Sequence, residues 1–311
     1  MARHRAILCA SVAILAACAH EPELAAPRPL PYRTYPAGRC PSCAEWNAPH
    51  APVRIFGNTY WVGTAELGAV LITSPRGHIL IDAALPESAP QIIGNIRLLG
   101  FRIEDVVLLL NSHAHYDHAG GLAAVQQASG AEVVATAASS RELTRGTADE
   151  DDPQHGLAED FPAVRVARQV SDGQVLEVGP LAVTAHATGG HTPGSTTWTW
   201  RSCADGRCVS IVYADSLTAL SAPSYRYTDH PALLAAFGHS LELIERIPCD
   251  VLVTPHASAT ALWNRVAAGS LIDGEACRRY AAAARARLDT LLSDERGRAE
   301  RDRPAVDARR R

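Results

Sequence analysis

The densest concentration of reactive side chains in this chain is Asn111-Ser112-His113-Ala114-His115-Tyr116-Asp117-His118-Ala119-Gly120-Gly121. Three histidines and an aspartate fall between His113 and His118. Imidazole nitrogens and a carboxylate are good ligands for zinc. A lone His-x-His is more often structural or surface decoration. His-x-His-x-Asp-His directly after an apolar run, closed by Gly-Gly, is much harder to dismiss. So many donors on one short loop cannot all surround a single ion with good geometry. Two neighbouring ions divide them naturally, and a pair of ions activates water, so metal-assisted hydrolysis is the chemistry to expect.

Such a loop needs a rigid base. The apolar run 106–110 is a buried strand that delivers the loop, and 121–128 has the spacing of a helix that carries the chain away. Further strands are expected over 59–64, 69–73, 78–82 and 132–135, with helices over 86–99 and 138–143. A second set of strands follows at 181–187, 196–200 and 209–214. After it come a helix over 233–247, a strand over 251–254 and a helix over 275–292. Strands then helices, twice over, point to an α/β sandwich: two sheets face to face with helices outside. The expected boundaries are a signal segment at 1–18, a Pro/Ala-rich arm at 19–50, one domain at 51–292 and a disordered charged tail at 293–311.

Arg3 and Arg5 precede the apolar run 6–17, the layout of a secretory signal. The run is shorter than the roughly 20 apolar residues a transmembrane helix needs. It ends in Leu15-Ala16-Ala17-Cys18, which resembles a bacterial lipobox. The chain is therefore expected in the periplasm, either cleaved free or anchored to the outer membrane by lipid on Cys18. Export makes the remaining cysteines disulfide candidates. Cys203 and Cys208 bracket an Asp-Gly hairpin turn, Cys249 and Cys277 would tie a late strand to the last helix, and Cys40 and Cys43 form a short loop. The formal net charge of -4 argues against a nucleic-acid partner, and no basic patch with interleaved aromatics supports a nuclease. All basic residues are arginine, so lysine Schiff-base chemistry is excluded.

His113-Ala114-His115-Tyr116-Asp117-His118 resembles the signature of the metallo-β-lactamase superfamily. Gly190-His191-Thr192-Pro193-Gly194-Ser195 and His256 follow in that family's order, each after a strand. Trp46-Asn47, Gly57-Asn58-Thr59-Tyr60, Tyr213-Ala214-Asp215-Ser216-Leu217 and Pro248-Cys249-Asp250-Val251-Leu252 look like the B3 subclass, over roughly residues 45 to 290. The resemblance implies an αβ/βα sandwich of two mixed β-sheets flanked by helices, holding two zinc ions per chain. His113, His115 and His191 would bind the first, and Asp117, His118 and His256 the second. A water shared by the ions would attack a β-lactam carbonyl, carbapenems included, with Asp117 orienting it. Ser216 and Thr218 match positions that bind the antibiotic's carboxylate, and Tyr225 one near its carbonyl; the first two could equally cap a turn. Asp82 is either an orienting partner of a ligand histidine or a strand-end aspartate bonded to backbone. His155, His186 and His230 are better explained as solvated or structural. A monomer is the simpler expectation.

The main rival is another hydrolase of the same fold, a lactonase or a glyoxalase-type thioesterase. Those enzymes add an aspartate bridging both metals, and Asp215 lies close to that place. An exported zinc-binding protein without catalysis is the other class, and it would need a fully closed coordination shell. The glycine-rich turns beside His118 and His191 argue for an open one.

Overall fold

The computed structural model describes residues 40–302. The signal segment with Cys9 and Cys18, most of the Pro/Ala-rich arm and residues 303–311 lie outside the described residues. In chain order the elements begin with α1 (Cys43–Trp46), β1 (Val53–Phe56), β2 (Thr59–Trp61), β3 (Val70–Ile72) and β4 (His78–Ile81). Next come α2 (Ala89–Leu98), β5 (Val106–Leu110), α3 (Tyr116–Ala119), α4 (Leu122–Ser129), β6 (Glu132–Ala135), α5 (Ala137–Arg145) and β7 (Val166–Gln169). The second half contains β8 (Val175–Val178), β9 (Leu181–Ala187), β10 (Thr196–Ala204), β11 (Arg207–Tyr213), α6 (Pro231–Arg246), β12 (Val251–Val253), α7 (Leu262–Ala267) and α8 (Ala276–Asp302).

β1 to β7 form one sheet in sequence order, antiparallel through β4 and parallel from β4 to β7. The second sheet runs β12-β11-β10-β9-β8, with β12 parallel to β11 and the rest antiparallel. Both sheets are covered on both faces, so their central strands read as continuous apolar runs. Alternate residues of each run serve different layers. Leu108 and Leu110 of β5 enter the core between the sheets, and Leu109 points at the helices behind. β12 repeats the pattern: Val251 and Val253 face the other sheet, while Leu252 packs with α6 and α8. The result is the four-layer sandwich expected from the strand-and-helix pattern.

Two boundaries differ from the expectation. The domain begins before residue 51: Cys40 and Cys43 are buried, and Thr64 donates to the carbonyl of Trp46 at 2.5 Å. The helix expected to end at 292 continues as α8 to Asp302, through residues expected to be disordered. Glu295 explains this correction. Its carboxylate is buried and accepts from the backbone N–H of Tyr227 and Thr228 at 3.0 and 2.9 Å. β7 escaped the sequence reading because it is an edge strand with largely exposed side chains, so it carries no apolar alternation. The structure pairs Cys40 with Cys43, Cys203 with Cys208 and Cys249 with Cys277. Among the described residues, no helix is long and apolar enough to cross a membrane.

Candidate metal centre

The loop after β5 is anchored by Asp82, which ends β4 with φ +60°. Its carboxylate accepts from Ser112 N–H at 2.7 Å, Ser112 Oγ at 2.6 Å, Asn111 Nδ2 at 3.0 Å and Tyr213 Oη at 2.8 Å. Asp82 thus ties the strand end to both sheets and bonds no ligand histidine. The loop then turns into α3, and Ala83 N–H donates to the carbonyl of His118 at 2.9 Å. This contact is close enough to require glycine next: a Cβ on Gly121 would lie 2.2 Å from the Ala83 carbonyl oxygen.

His113, His115 and His191 gather as one buried cluster whose ligand atoms lie within 4.8 Å of one another. Each ring has one nitrogen held by the protein. Nδ1 of His113 lies 2.7 Å from Asp215 Oδ1, Nε2 of His115 lies 3.1 Å from Asp152 Oδ2, and Nδ1 of His191 lies 2.8 Å from the Thr218 carbonyl. The opposite nitrogens of His115 and His191 meet Gln154 Nε2 at 3.4 Å, and Nε2 of His113 is buried with no partner. An orphaned buried nitrogen is costly unless something meets it, and a metal ion does so. Burial, reinforced by the crowding of other imidazoles that disfavours a further positive charge, holds His113 well below the usual imidazole range. Burial and His115 hold His191 down to about 3. Both therefore stay neutral, the form that ligates.

A second cluster adjoins the first. Oδ2 of Asp117 lies 3.3 Å from Nε2 of His118 and 3.3 Å from Nε2 of His256. A direct N⁺–H···O⁻ bond is shorter, about 2.7–2.9 Å. A spacing of about 3.3 Å is instead the edge of a tetrahedron with ligand bonds of about 2.0–2.1 Å. The donor set fits a metal ion. Burial opposes ionisation of Asp117, but His118 and His256 hold its carboxyl well below the usual range. Glu66 secures the far side of His256, with Oε1 3.2 Å from Nδ1.

Both clusters open on a cavity of about 490 Å³. His115, Asp117, His118, His191 and His256 face it, with Trp46, Tyr116, Leu157 and Leu220 among its walls. The structure thus brings together all six residues expected to bind metal, and Ser216 and Thr218 line the cavity beside them. The Thr218 hydroxyl is also 3.1 Å from Nδ1 of His191. Tyr225 is not among the lining residues; its ring stacks on His230 with centroids 4.1 Å apart. His186 bonds Thr199 across β9 and β10 at 2.9 Å, and His155 is exposed on its loop.

Three participants escaped the sequence reading. Asp152 belongs to the acidic run 149–152, which looks solvated, yet it is fully buried against His115. Gln154 follows on the same loop, with Nε2 3.4 Å from both His115 Nδ1 and His191 Nε2. Glu66 sits in an unremarked turn, and only the tertiary fold brings it to His256.

Residues 69–256 match the family model of the metallo-β-lactamase superfamily. The fold is similar to that of the Rm3 metallo-β-lactamase at 50% identity and a TM-score of 0.80, covering 83% of this chain and 99% of that one. It is similar to MEM-A1, a subclass B3 metallo-β-lactamase from a soil metagenome library, at 46% identity and a TM-score of 0.79, covering 81% and 99%. MIM-1 from Novosphingobium pentaromativorans matches at 44% identity and a TM-score of 0.80, covering 82% and 94%. A curated relative, the N-acyl homoserine lactonase of Bacillus cereus, is 26% identical over 110 residues, 28% of this chain and 41% of that protein. The chain thus spans about two-fifths of the length of the curated relatives it matches.

Proposed function

We infer that this chain, which belongs to the metallo-β-lactamase superfamily and to its B3 subclass, binds two zinc ions and hydrolyses the amide bond of β-lactam antibiotics. His113, His115 and His191 would hold one ion, and Asp117, His118 and His256 the other. Zinc in such a pair polarises a carbonyl and lowers the pKa of bound water toward about 7. The protein's own contribution is positioning. Asp215, Asp152, Thr218 and Glu66 each fix one histidine ring from behind. Asp117 spends Oδ2 between two histidines, which leaves Oδ1 to accept a hydrogen bond from the attacking water. Ser216 offers its hydroxyl to the substrate's carboxylate from the cavity wall. Thr218 supports the first ligand set through its carbonyl and hydroxyl, and borders the same carboxylate position.

One observation carries the choice between lactamase and lactonase. Asp215 lies 2.7 Å from Nδ1 of His113, on the opposite side of the ring from the partnerless Nε2, while its neighbour Ser216 lines the cavity. A carboxylate bridging two metals would have to lie on the Nε2 side. The same reading makes the protein a periplasmic enzyme, free or anchored at Cys18, that acts as a monomer with its six described cysteines oxidised. The test is hydrolysis of a cephalosporin and a carbapenem by mature protein, with zinc and with a chelator, beside a thioester and a homoserine lactone. Chelator-sensitive β-lactam cleavage, lost in Asp117→Ala, is the expected result. Turnover of the lactone or thioester alone would overturn it.

A further inference from the structure

The metal cavity continues past its wall. Ala259, Tyr280 and Arg287 line it on one side and also line a second cavity of about 170 Å³. This annex lies where α7 and α8 meet the turn Ala257–Thr260. Three arginines line it (Arg265, Arg279 and Arg287) and no acidic side chain does. Its shape follows from the sequence of α8. Arg279, Ala283 and Arg287 recur every four residues and share one helix face. Two long cationic side chains therefore flank an alanine floor, their origins about 12 Å apart along the helix.

The three arginines are not equivalent. Arg265 is fixed, its two terminal nitrogens each donating at 3.0 Å to the carbonyls of Leu252 and Leu271. Arg279 pairs with Asp273, which does not line the annex. Arg287 makes no hydrogen bond or ion pair among the described residues. A guanidinium fork is the side chain best matched to a planar oxyanion, which it binds through two parallel N–H donors. The Tyr280 hydroxyl is already committed, accepting from Leu217 N–H and donating to the Asp215 carbonyl, both at 3.1 Å. Tyr280 therefore partitions the annex from the loop that carries Ser216, and Arg287 is reachable from both cavities.

We propose that the annex is an oxyanion site in which Arg287, assisted by Arg279, binds a carboxylate, sulfonate or sulfate group. The group arrives either as a free inorganic ion or as the acidic substituent of a substrate seated in the metal cavity. The second source rests on the β-lactam reading, and the first does not.

Calorimetric titration of full-length, metal-loaded protein with inorganic sulfate tests the site directly. Binding is expected for the wild type, weakened about tenfold in Arg287→Ala and further in the Arg279→Ala/Arg287→Ala double variant, with Arg287→Lys intermediate. Thermal melting and zinc content of each variant establish that it is folded and loaded. The second arm compares KM for two β-lactams that differ by one acidic side-chain substituent. A rise of about tenfold in the acidic-to-neutral KM ratio in Arg287→Ala identifies the substrate as the source. An unchanged ratio with weakened sulfate binding identifies the free ion. Sulfate binding and a KM ratio both unaltered in the double variant would overturn the proposal. If no β-lactam is turned over, the sulfate titration alone decides it.

Discussion

The carboxylate of Glu66 lies 3.2 Å from Nδ1 of His256 and 2.6 Å from Oγ of Ser258, although 190 and 192 residues separate these partners. One side chain thus orients a metal-facing ring and holds the turn that follows it, since Ser258 N–H also donates to Glu66 at 3.2 Å. Trp46 packs edge-on against the same ring, with centroids 5.4 Å apart. Partners of this kind set the ligand's tautomer and typically govern about 10–100-fold in metal affinity. On the two-zinc reading, Glu66→Ala should weaken the ion at His256 by about that factor and leave the other near its wild-type affinity. Competition against a chromophoric chelator resolves the two steps. Equal loss at both sites, or none at either, would remove Glu66 from this role.

Protons and metal compete for the same nitrogens. In the metal-free protein burial disfavours charge on His115, yet Asp152 outweighs it and lifts that ring to about 9. Burial likewise opposes charge on His256, and Asp117 with Glu66 lifts it to about 9. Both groups are raised above their ordinary value of 6.5, so the stability they give the metal-free fold is complete below pH 6.5 and disappears as pH climbs through about 9. His191, held down to about 3, acts oppositely and costs the metal-free fold stability as pH falls from 6.5. Metal binding requires all of these rings unprotonated. Zinc uptake near neutral pH should therefore release about two protons per chain. Isothermal titration in buffers of different ionisation heat measures that number, and a heat independent of buffer would contradict it.

The candidate ligands were legible because a metal demands particular side chains within a few residues of a strand end. His113, His115, Asp117 and His118 announce themselves in this way, and β5 is readable from its apolar run. His191 and His256 were recoverable only through the family's order, since each stands alone in the sequence. The supporting carboxylates were hidden by their surroundings. Asp152 sits among Asp149, Glu150 and Asp151, and which acids of the run are buried depends on tertiary contacts, Arg141 on Asp149 and His115 on Asp152.

Glu295 makes the end of α8 part of the fold. Its carboxylate is 1% exposed and caps the N–H groups of Tyr227 and Thr228. Tyr227 in turn donates its hydroxyl to the Gly190 carbonyl at 3.1 Å, next to His191. Glu295→Ala leaves the buried Tyr227 N–H unpaired and should cost about 1–3 kcal/mol. At about 2–4 °C per kcal/mol for a domain of this size, the melting temperature should fall by several degrees. Truncation after Leu292 should fall at least as far. A truncated protein that melts with the full chain would show that Glu295 contributes nothing to stability.

Asp215 provides the sharpest test of the whole site, because its two candidate roles respond differently to one isosteric change. If it orients His113, its task is to accept the Nδ1–H at 2.7 Å, and an amide oxygen accepts that proton as well. Burial pushes the Asp215 carboxyl well above the usual range, so a neutral group there removes little that the fold depends on. Asp215→Asn should then bind two zincs, with the first weakened by no more than about tenfold, whereas Asp215→Ala should lose about 10–100-fold at that site. If Asp215 instead bridged two metals, the amide would lack the negative charge both ions share. Asp215→Asn would then lose the second zinc outright along with turnover. Metal stoichiometry after dialysis against limiting chelator separates these results. One zinc per chain in Asp215→Asn would move the protein toward the bridged hydrolases of the fold and away from the β-lactamase reading.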